Sequence, residues 1–241
     1  LRRLLERIER TEQLLLKGCG NVSEEDADFD DNDSEDVYIE GKYEIDVKHL
    51  RVDDYLEDLA SDKYIIAEIH KSAKSILDEQ RDQKLQDLMG ILERKVRETP
   101  YNDGNRKVII FTAFADTADY LYSSLSEHMK DLGVYSACVT GKRVVTNNRN
   151  VDSDFNSVLC AFSPVSKMKK EIPAEEQIDL LIGTDCISEG QNLQDCDTVI
   201  NFDIQWNPVS LIQRFGRIDR IGSKNTNIQM INFFPNMELN E

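Results

Sequence analysis

The sequence predicts an α/β protein. A parallel sheet flanked by helices fills residues 105–241, and a mostly helical extension fills residues 1–104. Three observations point to this. Short apolar runs at 108–111, 134–140, 178–183, 198–202 and 228–233 alternate with helical and turn segments, as strands buried on both faces of a parallel sheet do. Apolar residues in the first hundred positions instead recur at helical spacing. The stretch 207–222 carries a helix start at Asn207-Pro208 and a helix stop at Gly222.

Composition sets the bounds. The chain has 241 residues, 40% of them hydrophobic, enough for a packed core. No apolar run approaches the ~20 residues a membrane span needs, and no signal peptide is visible. Cys19, Cys138, Cys160, Cys186 and Cys196 include no Cys-x-x-Cys pair, so we expect buried thiols in a reducing cytoplasm, with no zinc site. A net charge of -17 argues against nucleic acid, but its distribution does not. Positions 24–62 hold seventeen acids against Lys42, Lys48 and Arg51, leaving 29 acids and 26 bases elsewhere. The acidity is local and does not exclude a basic surface in the sheet region. The chain starts at Leu1-Arg2-Arg3 without a Met, and we read it as a fragment of a longer protein.

Taken in order, residues 1–17 form an amphipathic helix on Leu4, Leu5, Ile8, Leu14, Leu15 and Leu16. Residues 20–36 are Asp/Glu/Asn/Ser-rich with little to bury, and should be a mobile acidic loop. A short extended piece is expected at 38–46. Helices follow on Tyr55, Leu56, Leu59, Ile65, Ile66, Ile69, Ile76 and Leu77, then on Leu85, Leu88, Met89, Leu92 and Val96, ending before Pro100. His49, His70 and His128 are isolated from one another, so ordinary histidines are expected there. From Lys107 the strands begin, with helices at 116–130 and 155–163 between them. The segments after Phe111, Thr140, Gly183 and Phe202 should open toward one edge, where parallel α/β sheets place ligands.

The stretch 207–222 then carries the chemistry. Stepping about 100° per residue from Gln213 puts Arg217 at about 40° and Arg220 at about 340°, one narrow polar face. Leu211, Phe215 and Ile218 share the opposite face. Two guanidinium groups side by side can straddle a terminal phosphate. An isolated Arg-x-x-Arg is also what a solvated helix face carries.

Three blocks resemble a known family. Lys107 to Phe114 (KVIIFTAF) resembles motif IV of the second RecA-like domain of superfamily 2 helicases and translocases. Thr184 to Gln194 (TDCISEGQNLQ) resembles motif V, and Gln213 to Gly222 (QRFGRIDRIG) resembles motif VI. Trp206-Asn207-Pro208 is similar to the Swi/Snf-type branch. Ser188-Glu189-Gly190 with Gln213-Arg214 is similar to bacterial members of the RNA-polymerase-associated ATPase type. The resemblance covers about residues 105–241 and implies a RecA-like fold there.

It also implies roles. Arg217 and Arg220 match arginines that reach the γ-phosphate across a cleft between two RecA-like domains, with Arg220 as the finger proper. Gly190, Asn192 and Gln213 fall at nucleotide-side positions. Asn192 stands where an Asp often contacts ribose, and Glu189 replaces an Arg of DEAD-box relatives. Thr112, Thr140, Gly141, Lys142 and Thr184 fall on the nucleic-acid side, where small hydroxyls, backbone N–H groups and a Lys suit phosphate. For Thr140-Gly141-Lys142, an ordinary turn is an equal reading. No Gly-x-x-x-x-Gly-Lys-Ser/Thr and no Asp-Glu box is present, so ligands for Mg2+ are expected on a preceding RecA-like domain.

The implied protein is half of an ATP-dependent helicase or translocase, inactive alone, acting on double-stranded DNA by its Swi/Snf-like features or on RNA. A second reading is a non-catalytic regulatory module that binds a protein partner through its acidic helical segment.

Overall fold

The computed structural model describes residues 1–16, 22–23, 44–45, 51–79, 81–167, 172–187, 190–204 and 208–234. They fall into two compact units, Leu1–Gln83 and Lys84–Glu241.

The first unit is helical. Helix α1 (Arg2–Leu16) packs along helix α2 (Val52–Asp78). On α2 the half-buried Val52, Leu56, Leu59, Lys63, Ile66, His70 and Ala73 recur at a three-four spacing that forms one seam, with Ser75 half-buried beside its end. Ile8 and Leu15 of α1 are buried, and Lys63 Nζ lies 2.9 Å from Glu12 and 3.5 Å from Glu9. A single seam cannot cover both flanks of α2, so Tyr55, Ile65, Ile69, Ile76 and Leu77 stay exposed despite their helical spacing. Between the helices, strand β1 (Val22–Ser23) pairs antiparallel with β2 (Glu44–Ile45), inside the expected extended piece. Apart from Val22–Ser23, the acidic segment expected as a mobile loop lies outside the described residues.

The second unit is a six-stranded α/β sheet. Helix α3 (Gln83–Glu98) leads into β3 (Val108–Phe111), α4 (Ala115–Asp131), β4 (Ser136–Val139) and β5 (Val144–Thr146). Then come α5 (Phe155–Phe162), β6 (Leu180–Gly183), β7 (Thr198–Asn201), α6 (Pro208–Phe215) and β8 (Gln229–Asn232). The strand order is β5-β4-β6-β3-β7-β8, parallel throughout except for β5 at one edge.

Every residue of β3, β4, β6 and β7 is buried, which explains the unbroken apolar runs. Alternate residues serve opposite faces. Val108, Ile110, Leu180, Ile182 and Ile200 pack against Leu88 and Leu92 of α3 and Leu121 and Leu125 of α4. Ile109, Phe111, Leu181 and Val199 pack against Leu159 and Phe162 of α5 and against Ile187, Leu193 and Ile218.

The structure departs from the sequence expectations at three places. Helix α3 belongs to the sheet's core, so the compact unit starts at Lys84 and not at 105. Strand β5 was not expected. Its three residues are too few to show a period, and they pair only because the hairpin after β4 brings them back. Helix α6 ends at Phe215, seven residues short of Gly222. Arg217 N donates to Arg214 O and Ile218 N to Phe215 O, so the chain tightens into three-residue turns just after Phe215, although Asp219 N still reaches back four residues to Phe215 O. Glycine is a poor helix residue, and the tightening buries Ile218 completely. Arg217 and Arg220 therefore do not share a helical face with Gln213.

Candidate functional site at the carboxyl edge of the sheet

Parallel strands bring Thr112, Thr140, Thr184 and Asn201-Phe202-Asp203 to one edge, as the sequence predicts. Gly183 makes the turn there. A Cβ on it would lie 2.1 Å from Ile187 Cδ1 and 2.8 Å from Val139 O, so only glycine lets the short helical turn Asp185–Ile187 fold back over β6. Gly190 has φ 69°, the left-handed region that glycine enters without strain, so its need is conformational.

Two segments on this edge are stitched together. Leu193 N donates to Arg217 O, and Ser223 Oγ donates to Gln194 O. Across this seam Arg220 Nη1 donates to Asn192 Oδ1, while its Nε donates to Gly216 O at 3.0 Å. Two residues chosen from sequence, Asn192 and Arg220, thus meet although 28 residues separate them. The described partners of the exposed Arg220 guanidinium are neutral oxygens, so they leave its charge uncompensated. Arg217 is half-buried, with Gln213 exposed on α6.

The residue that sequence reasoning missed is Arg214. It is fully buried at the centre of the edge. Its Nε donates to Asp185 Oδ1 at 2.7 Å, its Nη1 to Asn201 Oδ1 at 3.0 Å, and its guanidinium lies 5.1 Å from the Phe111 ring centre. It ties α6 to β3, β7 and the turn after β6. The signal was available: Arg214 falls about 100° from Gln213, on the flank of the apolar face and not on the polar one.

The three threonines do not project into solvent. Thr112 is 0% exposed, Thr184 2% and Thr140 6%. Thr112 Oγ1 donates to Asp203 Oδ2 at 2.5 Å, and Thr184 Oγ1 donates to Cys186 Sγ at 3.3 Å. Thr140 N donates to Arg143 O at 2.8 Å, and its hydroxyl accepts from Arg143 N at 3.1 Å. Thr140 therefore closes the β4–β5 turn, with Gly141 and Lys142 exposed at its tip and Arg143 held 3.0 Å from Asp119 of α4. As a group, these residues shape the strand-end loops from within: the backbone N–H groups of Thr112 and Thr184 donate to Gly183 O and Val139 O, and of the residues predicted on the nucleic-acid side only Gly141 and Lys142 are exposed.

The edge is that of a parallel α/β domain, and its strand-end segments carry Lys142, Arg217 and Arg220 beside Asp185 and Asp203. Its sequence places it further. Residues 83–222 match the family described as the helicase conserved C-terminal domain, and the chain belongs to that family. A RecA-like fold goes with that membership. A 48-residue stretch is 50% identical to the uncharacterized ATP-dependent helicase YqhH of Bacillus subtilis, covering 20% of this chain and 9% of that protein. The ATP-dependent RNA helicase eIF4A of Eremothecium gossypii is 26% identical over 123 residues, 48% of this chain and 31% of that protein. The putative ATP-dependent DNA helicase fml2 of Schizosaccharomyces pombe is 26% identical over 144 residues, 57% of this chain and 16% of that protein. The chain thus spans less than a third of each of these relatives. Among solved structures, the C-terminal part of the Fun30 ATPase domain matches with TM-score 0.43 and 18% identity over 73% of this chain and 53% of that one. Domain 2 of the Mss116p DEAD-box helicase, bound to an RNA duplex, matches with TM-score 0.43 and 21% identity over 62% and 50%. No helix among the described residues is long and apolar enough to cross a membrane.

Proposed function

We propose that this chain is the C-terminal half of an ATP-dependent nucleic-acid translocase or helicase, and that Arg217 and Arg220 complete an ATP site begun on a preceding RecA-like domain. One observation carries the reading: the hydrogen bond that joins Arg220 to Asn192 across the two stitched segments. It places a charged guanidinium and a neutral amide together at the strand-end edge where parallel sheets bind nucleotides.

The residues suit a triphosphate. ATP with Mg2+ supplies the transferable phosphoryl group and the metal charge, and the magnesium ligands belong to the preceding domain. On this chain, Arg220 turns from its neutral partners to a γ-phosphate oxygen, with Arg217 beside it. Fixed guanidinium charge at that point stabilises the negative charge that develops on transfer. Asn192 orients Arg220 and contacts the ribose as a neutral donor. Gln213 reports nucleotide state along α6. Buried Arg214 keeps α6 on the sheet, so a force on the arginines is transmitted to the loops after β3 and β6. On the nucleic-acid side, the exposed Gly141 and Lys142 touch phosphates, and Thr112 and Thr184 set the loops beside them. Contacts of this kind position a strand without reading its sequence. The track is double-stranded DNA by the Swi/Snf-like Trp206-Asn207-Pro208, and the protein acts in the cytoplasm.

The test uses the intact protein that contains this chain. ATP hydrolysis is measured with DNA and with RNA, for wild type and Arg220→Ala. Loss of at least about a hundredfold in turnover with ATP binding retained is expected for a finger. The polymer that stimulates hydrolysis identifies the track. Unchanged turnover overturns the assignment.

A further inference from the structure

A hydroxyl carries one proton to donate, and the structure shows where Thr112 has committed its own. Thr112 is completely buried, and its hydroxyl donates to Asp203 Oδ2. The other carboxylate oxygen of Asp203 lies 3.3 Å from Lys84 Nζ, which sits 3.8 Å from the Phe202 ring centre. Lys84 thus braces the carboxylate from the side opposite Thr112. In this arrangement Thr112 cannot donate to a phosphate.

The lock has room to open. The Asp203 side chain is 26% exposed and lines an open cavity of about 470 Å³ together with Lys84, Phe202, Phe233 and Phe234. The carboxylate can swing into that space and free the hydroxyl. Asp203 is also joined to the arginine segment, because Arg214 Nη1 of α6 approaches its backbone carbonyl at 3.5 Å. A displacement of α6 therefore acts on Asp203 directly.

We propose that Asp203, braced by Lys84, is a positioning residue that withholds the Thr112 hydroxyl from a nucleic-acid strand until α6 shifts. The inference rests on the reading of this edge as a nucleic-acid contact. It predicts a gain of affinity on mutation, which damage to the fold does not produce.

The experiment measures binding of a fluorescein-labelled DNA duplex, and of a labelled RNA strand, to the intact protein without nucleotide. A hydrogen bond to a charged acceptor is worth enough that Asp203→Ala should tighten binding about tenfold. Lys84→Met and Asp203→Asn weaken the same lock and should tighten it about threefold; both keep side-chain volume and carry the test if Asp203→Ala misfolds. In a Thr112→Val background Asp203→Ala should give no gain, since there is no hydroxyl to release. No gain in any single variant overturns the inference. A gain that persists beside Thr112→Val also overturns it, because loss of negative charge alone then explains the effect. Binding with a non-hydrolysable ATP analogue separates the two claims. If Thr112→Val weakens binding there while the Asp203 and Lys84 variants show no gain, only the lock fails. If Thr112→Val changes nothing in either state, Thr112 is not a nucleic-acid contact and the lock has nothing to release, while the reading of this edge is decided separately by whether DNA or RNA binds the wild type at all.

Discussion

The two ends of the sheet use charge in opposite ways. At the amino ends of the strands, charges are buried and paired. Lys95 Nζ lies 2.7 Å from Asp197 with side chains 3% and 0% exposed, and Asp197 also accepts from Asn102 at 2.7 Å and Thr198 at 2.9 Å. Lys107 Nζ donates to Ile178 O at 2.9 Å and stands 3.5 Å from Asp179. Asn105 donates to Asp195 O and to Asn225. At the carboxyl ends one arginine, Arg214, is buried and tied, while Arg220 and Lys142 are exposed. A buried pair with satisfied partners fixes geometry and offers nothing to a ligand. Exposed charge on loops costs the fold little.

The comparison can be broken by mutation at either end. The largest stability loss is expected for Lys95→Met, which leaves the buried Asp197 carboxylate without its counter-charge, about 3–5 kcal/mol in urea unfolding. Arg214→Met strips partners from Asn201 and Asp185, but Asp185 is 26% exposed and can hydrate. A smaller loss, about 2–3 kcal/mol, is expected, together with loss of nucleic-acid stimulation of ATPase. Equal losses for the two would erase the distinction between the ends. Gly183→Ala forces a Cβ against Ile187 and Val139 O and should cost about 1–3 kcal/mol, with protection of the Asp185–Ile187 turn lost in hydrogen exchange.

Burial of two thiols also sets a pH dependence. Burial pushes the Cys196 thiol from 9.0 up to about 12, and Cys138 on β4 likewise to about 12. A raised folded value means stability that is whole below about 9 and lost as pH climbs from 9 toward 12, by about 1.4 kcal/mol per pH unit per thiol. Burial lowers the Lys107 pKa, which has the opposite sign and opposes the loss where Lys107 titrates. Cys196→Ala should flatten the alkaline limb of urea-unfolding curves; an unchanged slope would show that the thiol is not the cause. The smallest stability effect is expected for Arg220→Ala, within about 0.5 kcal/mol, because its side chain is exposed. Set beside the hundredfold loss of turnover proposed for the same variant, it separates function from fold at a single residue.

Much of this organisation was written locally. Unbroken apolar runs at Val108–Phe111 and Leu180–Gly183 announced strands covered on both faces, and their alternation with helices announced a parallel sheet. Those two facts by themselves imply that Thr112, Thr140 and Thr184 lie at one edge. The sequence also singled out Arg217 and Arg220, of a residue type suited to phosphate, through three motif blocks taken in order. Only the tertiary structure decided how they are carried. Helix α6 stops at Phe215 because burying Ile218 and turning at Gly216 outweigh continuing the helix toward Gly222, and no periodicity within the segment reveals that. Only the fold could show Arg214 as a buried tie, since Asp185 and Asn201 lie 29 and 13 residues away. The same holds for Thr112, whose hydroxyl is claimed by Asp203, 91 residues away in the chain. Spacing along the chain reports which face a residue occupies; which partner waits there depends on how distant segments pack.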